Sequence, residues 1–137
     1  MARIKIDMPE RFAFSTTIPV RIGDVNYGGH VGNDAIVSIL HDARLQYLAS
    51  IGSTELDFFG TGLIMADLAV TYKGEAFYGD TLVVDVTPGE LSSVGFALFY
   101  RISTSRNGEP VPVTEAQTGM VCFDYNARKV ARLPAAF

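Results

Sequence analysis

Arg21-Ile22-Gly23-Asp24-Val25-Asn26-Tyr27-Gly28-Gly29-His30-Val31-Gly32-Asn33-Asp34 joins two apolar runs of different period. Before it, Phe12, Phe14, Thr16, Ile18, Val20 and Ile22 recur at every second residue, the spacing of one face of a strand. Pro19 places that strand at a sheet edge or bulge, because proline has no N–H to give to a ladder. After it, Ile36, Ile39, Leu40, Ala43 and Tyr47 recur at spacings of three and four, one face of an amphipathic helix. This spacing predicts a helix from about Gly32 to Ser50, ended near Gly52, with Asn33 or Asp34 able to cap it. Glycines in the connecting turn let the backbone pass close to a ligand. The first helical turn then presents free N–H groups and a partial positive charge. Asp24, Asn26, His30 and Asp34 stand beside that helix start, a layout suited to holding an oxyanion and handling a proton.

Beyond this stretch the period is that of strands. Glu55–Gly60 is expected to form a short helical turn, and Leu63–Lys73 a strand. Leu82, Val84 and Val86 alternate with Val83, Asp85 and Thr87, and Pro88-Gly89 marks a turn. Val94, Phe96, Leu98, Tyr100 and Ile102 alternate on the next strand. Asn107-Gly108 predicts a tight hairpin into a last long strand, Val111–Tyr125, bulged near Gly119. Met1–Glu10 reads as a leader and Arg128–Phe137 as a tail. One strand, one long helix and four turn-linked strands describe an α+β domain with a mainly antiparallel sheet packed on a single helix.

The 137 residues suffice for one sizeable core, and 48% apolar content excludes a disordered chain. The net charge of −4 and the lack of a basic stripe argue against nucleic acid as a partner. No apolar run reaches the length of a membrane span, and the start lacks a signal peptide's apolar segment. Cys122 is the only cysteine; with no internal disulfide possible it fits a reducing, cytoplasmic compartment and a buried structural role. His30 and His41 lack metal-ligand spacing, so no metal is expected. There is no Gly-x-Ser-x-Gly elbow, Walker loop or dinucleotide fingerprint, and no cofactor is expected.

The motifs resemble those of the hotdog-fold thioesterases of the 4-hydroxybenzoyl-CoA thioesterase type. Members read Asp-x-Asp-x-x-Gly-His-Val-Asn-Asn and then an acidic-Ala-Arg step on a long helix. Asp24, Gly29, His30, Val31 and Asn33 match, as do Asp42-Ala43-Arg44, and Val70-Thr71-Tyr72-Lys73 with Tyr78-Gly79-Asp80 is similar to the family's downstream motifs. The resemblance runs from about residue 12 to 133 of a single domain. It implies a hotdog fold, a central helix wrapped by a curved five-stranded sheet. It also implies thioester hydrolysis and a homodimer or homotetramer with sites shared across an interface. Two positions depart from the pattern. Asn26 replaces the acidic residue that is catalytic in several members, and Gly32 replaces the first asparagine of the pair. The Asp-x-Asn order is similar instead to plant acyl-carrier-protein thioesterases, where an asparagine and a histidine serve catalysis, although their loop is two residues shorter.

The resemblance therefore implies an acyl-CoA or acyl-carrier thioester as substrate, with a non-catalytic acyl-CoA binder as the alternative. Hotdog dehydratases are a further class, but their extended motif is not visible. An asparagine is neither nucleophile nor base, but its amide can polarise a carbonyl or orient water. His30 is then the first choice of base, since histidine's unperturbed pKa lies nearest neutrality, and Asp34 is the second. Asp24 is expected to assist as an orienting partner, and Asp42 to pair structurally with Arg44 or a neighbouring subunit. Tyr27, Gly28, Gly29, Val31 and Lys73 are expected to contact substrate, with Arg101 and Arg106 as further phosphate contacts.

Overall fold

In the computed structural model, which describes residues 4–137, one strand, one long helix and then five strands follow one another in the order expected, with one late addition. The elements are β1 (Phe14–Pro19), a short 3-10 turn (Ile22–Asp24), α1 (Asn33–Ser50), β2 (Gly62–Tyr72), β3 (Thr81–Gly89), β4 (Gly95–Arg106), β5 (Glu109–Asp124) and β6 (Lys129–Val130). The sheet order is β1-β3-β4-β5-β2, antiparallel throughout, with β6 added to the end of β5 that runs beyond β4. The expected count of five strands is thus exceeded by β6, a two-residue pairing within the stretch read as a tail.

The apolar stripe of α1 explains its seat. Ile36, Ile39, Leu40, Ala43, Tyr47 and Leu48 are buried, and they belong to one cluster with Leu82, Val84 and Val86 of β3, Leu98, Tyr100 and Ile102 of β4, and Met120 of β5. Each large aliphatic side chain withdrawn from water in this way contributes roughly 1.5–3 kcal/mol. Gly52, at φ +75, follows the helix and supplies the left-handed residue that ends it.

Four local expectations need correction. Ile22 does not continue the first strand; it is 73% exposed. It opens the 3-10 turn because Asp24 Oδ2 takes the Arg21 N–H at 2.9 Å and folds the chain there. Glu55–Gly60 forms no helix: Phe58 and Thr61 pair instead as an isolated bridge, with Phe58 fully buried. At Gly119 the extra residue lies in β2, between Met65 and Asp67, and the Gly119 N–H donates to Asp67 Oδ1 at 2.8 Å; the irregularity of β5 itself lies at Val113, opposite Ile102 and Ser103. Arg44 pairs with Glu55 at 2.9 Å rather than with Asp42, which accepts from Gln46.

The leader, of which Met1–Arg3 lie outside the described residues, crosses the sheet face opposite the helix. Thr71 Oγ1 on β2 donates to the Ile4 carbonyl at 3.3 Å, and the Arg101 guanidinium on β4 stacks 4.4 Å from the Phe12 ring.

Candidate active site

The segment between β1 and α1 is folded by its own polar groups. The Val20 N–H donates to the Asp80 carbonyl at 2.9 Å, which ties the end of β1 to the loop before β3. Val25 and Val31 then pair across a tight reversal. Within it the Asn26 N–H donates to the His30 carbonyl at 2.9 Å, and the Gly29 N–H to the Asn26 carbonyl at 3.1 Å. Gly29 takes φ +84, a region costly for any residue with a Cβ. The Gly32 N–H reaches the Asp24 carbonyl at 3.0 Å and the Val31 N–H the Ala76 carbonyl at 2.8 Å, so the loop is pinned to both sides of the helix entry.

This frame decides what each side chain presents. The Gly28 N–H, which can only donate, points at Asn26 Oδ1 at 2.9 Å. The carbonyl end of that amide is thereby committed, and the NH₂ end is turned toward the start of α1. His30 Nδ1 lies 3.2 Å from the Val31 carbonyl, which can only accept. The neutral ring therefore carries its proton on Nδ1 and leaves Nε2 as a lone pair. Gly32, the N-cap of α1, has no side chain to cover the N–H groups of the first turn. The Asp34 N–H is taken by Asn33 Oδ1 at 3.0 Å.

These groups border a cavity of about 520 Å³, within the size range of small-molecule sites. Its mouth is polar and exposed, formed by Asn26, Tyr27, Asn33, Asp34 and Glu75. Its floor is buried and mostly apolar, formed by Val31, Ile36, Ala76, Val113 and Thr114. Tyr72 crosses from sheet to helix, its hydroxyl donating to the Asn33 carbonyl at 3.2 Å. Burial, reinforced by the nearby Asp34 carboxylate, raises its pKa and keeps the phenol protonated.

Of the residues singled out in the sequence, Asn26, Tyr27, His30, Val31 and Asp34 line this one cavity. Gly28 and Gly29 shape the loop, and their N–H groups are spent inside it. Asp24 is buried away from the cavity, bound to the Arg21 N–H and 3.7 Å from the Arg21 guanidinium. Lys73 points to the opposite sheet face, 3.7 Å from Glu115. Arg101 is paired with Asp85 at 2.9 Å and Arg106 with Asp80 at 2.6 Å. Burial alone would push the Asp80 carboxyl up, but hydrogen bonds from Arg106 and the Phe77 N–H outweigh it and hold its pKa down. Among the described residues no group of three or more His, Cys, Asp or Glu side chains is placed to hold a metal ion.

The sequence reading assigned no role to Tyr72, Glu75, Ala76, Val113 or Thr114, all of which line the cavity. Tyr72 was visible as the end of Val70-Thr71-Tyr72. Val113 and Thr114 carry no local signal, because only long-range bonds bring them under the helix start: Thr114 pairs with Tyr72 of β2, and the Val113 carbonyl accepts from the Lys73 and Gly74 N–H groups that follow.

The profile of the thioesterase-like superfamily matches residues 20–137. The 1,4-dihydroxy-2-naphthoyl-CoA hydrolase of Microcystis aeruginosa is 30% identical over 118 residues, covering 84% of this chain and 83% of that protein. The enzyme of the same name from Synechococcus elongatus is 27% identical over 119 residues, covering 84% and 85%. Among solved structures, a 1,4-dihydroxy-2-naphthoyl-CoA thioesterase from Synechocystis superposes with a TM-score of 0.79 at 25% identity, covering 90% of each chain. An aspartate-to-asparagine mutant of 4-hydroxybenzoyl-CoA thioesterase, complexed with 4-hydroxybenzoyl-CoA, superposes with a TM-score of 0.81 at 19% identity, covering 89% of this chain and 93% of that one, and shares the fold.

Proposed function

The chain belongs to the thioesterase-like superfamily, and on that premise we propose how this hotdog domain hydrolyses an acyl-CoA thioester to a free acid and CoA. The thioester enters from the polar mouth, with its acyl group in the apolar floor. Its carbonyl oxygen lies between the Asn26 NH₂ and the N-terminus of α1, where donors and the helix dipole are aimed in advance at developing negative charge. A water molecule is held by His30 Nε2, which accepts its proton as the water oxygen bonds to the carbonyl carbon. Asp34 stands on the same wall as the alternative acceptor. Collapse of the tetrahedral intermediate breaks the C–S bond, and the CoA sulfur leaves with the proton. Asp24 acts by holding the loop rather than by touching substrate.

The observation that carries this reading is the orientation of two side chains by the backbone. Gly28 N–H fixes the Asn26 amide and the Val31 carbonyl fixes the His30 ring, both on one cavity wall at a helix N-terminus. Asn26 thus supplies a donor where an acidic residue would supply a nucleophile or base. The relatives' substrates, 1,4-dihydroxy-2-naphthoyl-CoA and 4-hydroxybenzoyl-CoA, make aromatic acyl-CoA esters the first substrates to offer.

The working form is a homodimer, or a tetramer built from it. β2 is a sheet edge, and Met65, Leu68 and Tyr72 on it are 36–43% exposed. A second copy covers this apolar edge. No described helix is long and apolar enough to cross a membrane, and the lone cysteine accords with a cytoplasmic setting. Release of CoA thiol from a panel of aryl-CoA, alkyl-CoA and acyl-carrier thioesters, with light scattering on the same sample, tests both statements. Turnover of an aryl-CoA by a dimer or tetramer is expected. A panel hydrolysed no faster than in buffer, or a stable monomer at micromolar concentration, contradicts the corresponding statement.

A further inference from the structure

One buried polar atom on a residue of the cavity floor has no place in the mechanism above. Thr114 is 1% exposed, and its Oγ1 has no hydrogen-bond partner among the described residues. The other buried side-chain nitrogens and oxygens described all find one. Thr114 pairs with Tyr72 across β2 and β5 and with Ile102 on β4, so it shares the sheet face that Tyr72 and the fully buried Ile102 present to the helix. There it lines the cavity floor among Val31, Ile36, Ala76 and Val113, all buried and all apolar. An orphaned buried hydroxyl costs about as much as a lost hydrogen bond, so an atom left in this state is accounted for by a partner that arrives from outside.

Resting on the thioesterase reading, we propose that the Thr114 hydroxyl is a specificity-determining contact that hydrogen-bonds an oxygen substituent of the acyl group, at the end remote from the thioester. The layout favours this over a contact with the thioester itself. Asn26, the helix start and the exposed mouth mark where the carbonyl and the CoA chain must lie, and Thr114 belongs to the buried floor at the other end. An acyl group without a substituent leaves the hydroxyl desolvated and unpaired in the complex as well. A hydroxyl or carbonyl group at that depth satisfies it. The site therefore selects acyl groups that are flat or compact enough for the floor and carry one hydrogen-bonding oxygen distal to the thioester.

The test uses pairs of acyl-CoA esters matched in shape and differing by one hydroxyl, such as 4-hydroxybenzoyl-CoA and benzoyl-CoA, on wild type, Thr114→Val and Thr114→Ser. Valine keeps the shape and removes only the hydroxyl; serine keeps the hydroxyl. Wild type is expected to favour the hydroxylated member by about tenfold or more in kcat/KM. Thr114→Val brings the ratio near unity through loss of the hydroxylated substrate, and Thr114→Ser keeps the preference. In parallel, the free hydroxylated acid raises the Tm of wild type more than that of Thr114→Val, a readout that needs no turnover. The unliganded valine variant is expected to melt no lower than wild type. A wild-type ratio retained by Thr114→Val, or a valine variant that loses stability because the hydroxyl had an internal partner, overturns the assignment. Absence of all turnover with the acid-binding difference intact sinks the thioesterase reading instead.

Discussion

Replacing Arg44 with methionine isolates what a buried charge does for this fold. Arg44 lies on α1 and is 5% exposed. Its Nε donates to Glu55 Oε2 at 2.9 Å, and one terminal nitrogen donates to the Tyr100 hydroxyl at 3.2 Å, which in turn meets Thr118 Oγ1 at 2.8 Å. His41 binds the other Glu55 oxygen at 2.9 Å. Methionine keeps the apolar stem and removes the guanidinium. Breaking a fully buried pair by removing one partner costs about 3–5 kcal/mol. The Glu55 side chain is 24% exposed and keeps His41, so water recovers part of that and the expected loss is about 2 kcal/mol. For a chain of 137 residues, with unfolding entropy near 2.1 cal/mol/K per residue, that is a fall in Tm of about 7 °C. The assay is urea and thermal unfolding at fixed protein concentration for Arg44→Met, Glu55→Gln and the double variant. Because the two groups share one network, the double variant should lose less than the sum of the singles, by about 0.5 kcal/mol or more. Additive singles, or an Arg44→Met variant within about 0.5 kcal/mol of wild type, would refute the claim that this pair fastens α1 to the loop before β2.

Two further outcomes follow from the same geometry. Burial alone would raise the Glu55 pKa, but hydrogen bonds from His41 and Arg44 outweigh it and hold it below its ordinary value. Its stabilisation is therefore complete above the unfolded glutamate pKa and is lost as pH falls through the lower folded value, so the stability gap between wild type and Glu55→Gln should narrow below about pH 4.5 in urea titrations; a gap constant down to pH 3 contradicts it. Gly32 has φ −70 and ψ 153, which alanine accepts, but an added Cβ would lie 2.6 Å from Asp34 Oδ1. Gly32→Ala should cost under about 1 kcal/mol in stability yet displace that carboxylate and lower kcat about tenfold, and an unchanged kcat would leave Asp34 with no part in the reaction.

Much of the architecture can be read from local period. The three-and-four spacing of Ile36, Ile39, Leu40, Ala43 and Tyr47 places the helix, and the alternation through Leu82–Val86 and Phe96–Ile102 places two strands of the wall it packs on. The misreadings arise where a side chain redirects the backbone or a distant partner captures it. Asp24 turns the chain at Ile22, and Arg44 and Phe58 draw residues 55–61 into a bridge instead of a helix. At the candidate site the glycine-rich loop was conspicuous, but its own hydrogen bonds decide which atoms remain available, and those are invisible in sequence. Lys73 lies outside the cavity because Tyr72 takes the inward position, which sends the next side chain outward. Thr114 is not legible in sequence because nothing in β5 itself distinguishes the residue that meets the helix start.

Single-turnover hydrolysis of an aryl-CoA by Asn26→Ala tests the role of this site most directly. If the Asn26 amide holds the carbonyl oxygen as charge develops, the hydrolysis rate should fall by about 10²–10³ while substrate affinity changes little. A variant that hydrolyses the ester within about threefold of wild type would remove Asn26 from the reaction and with it the proposed site.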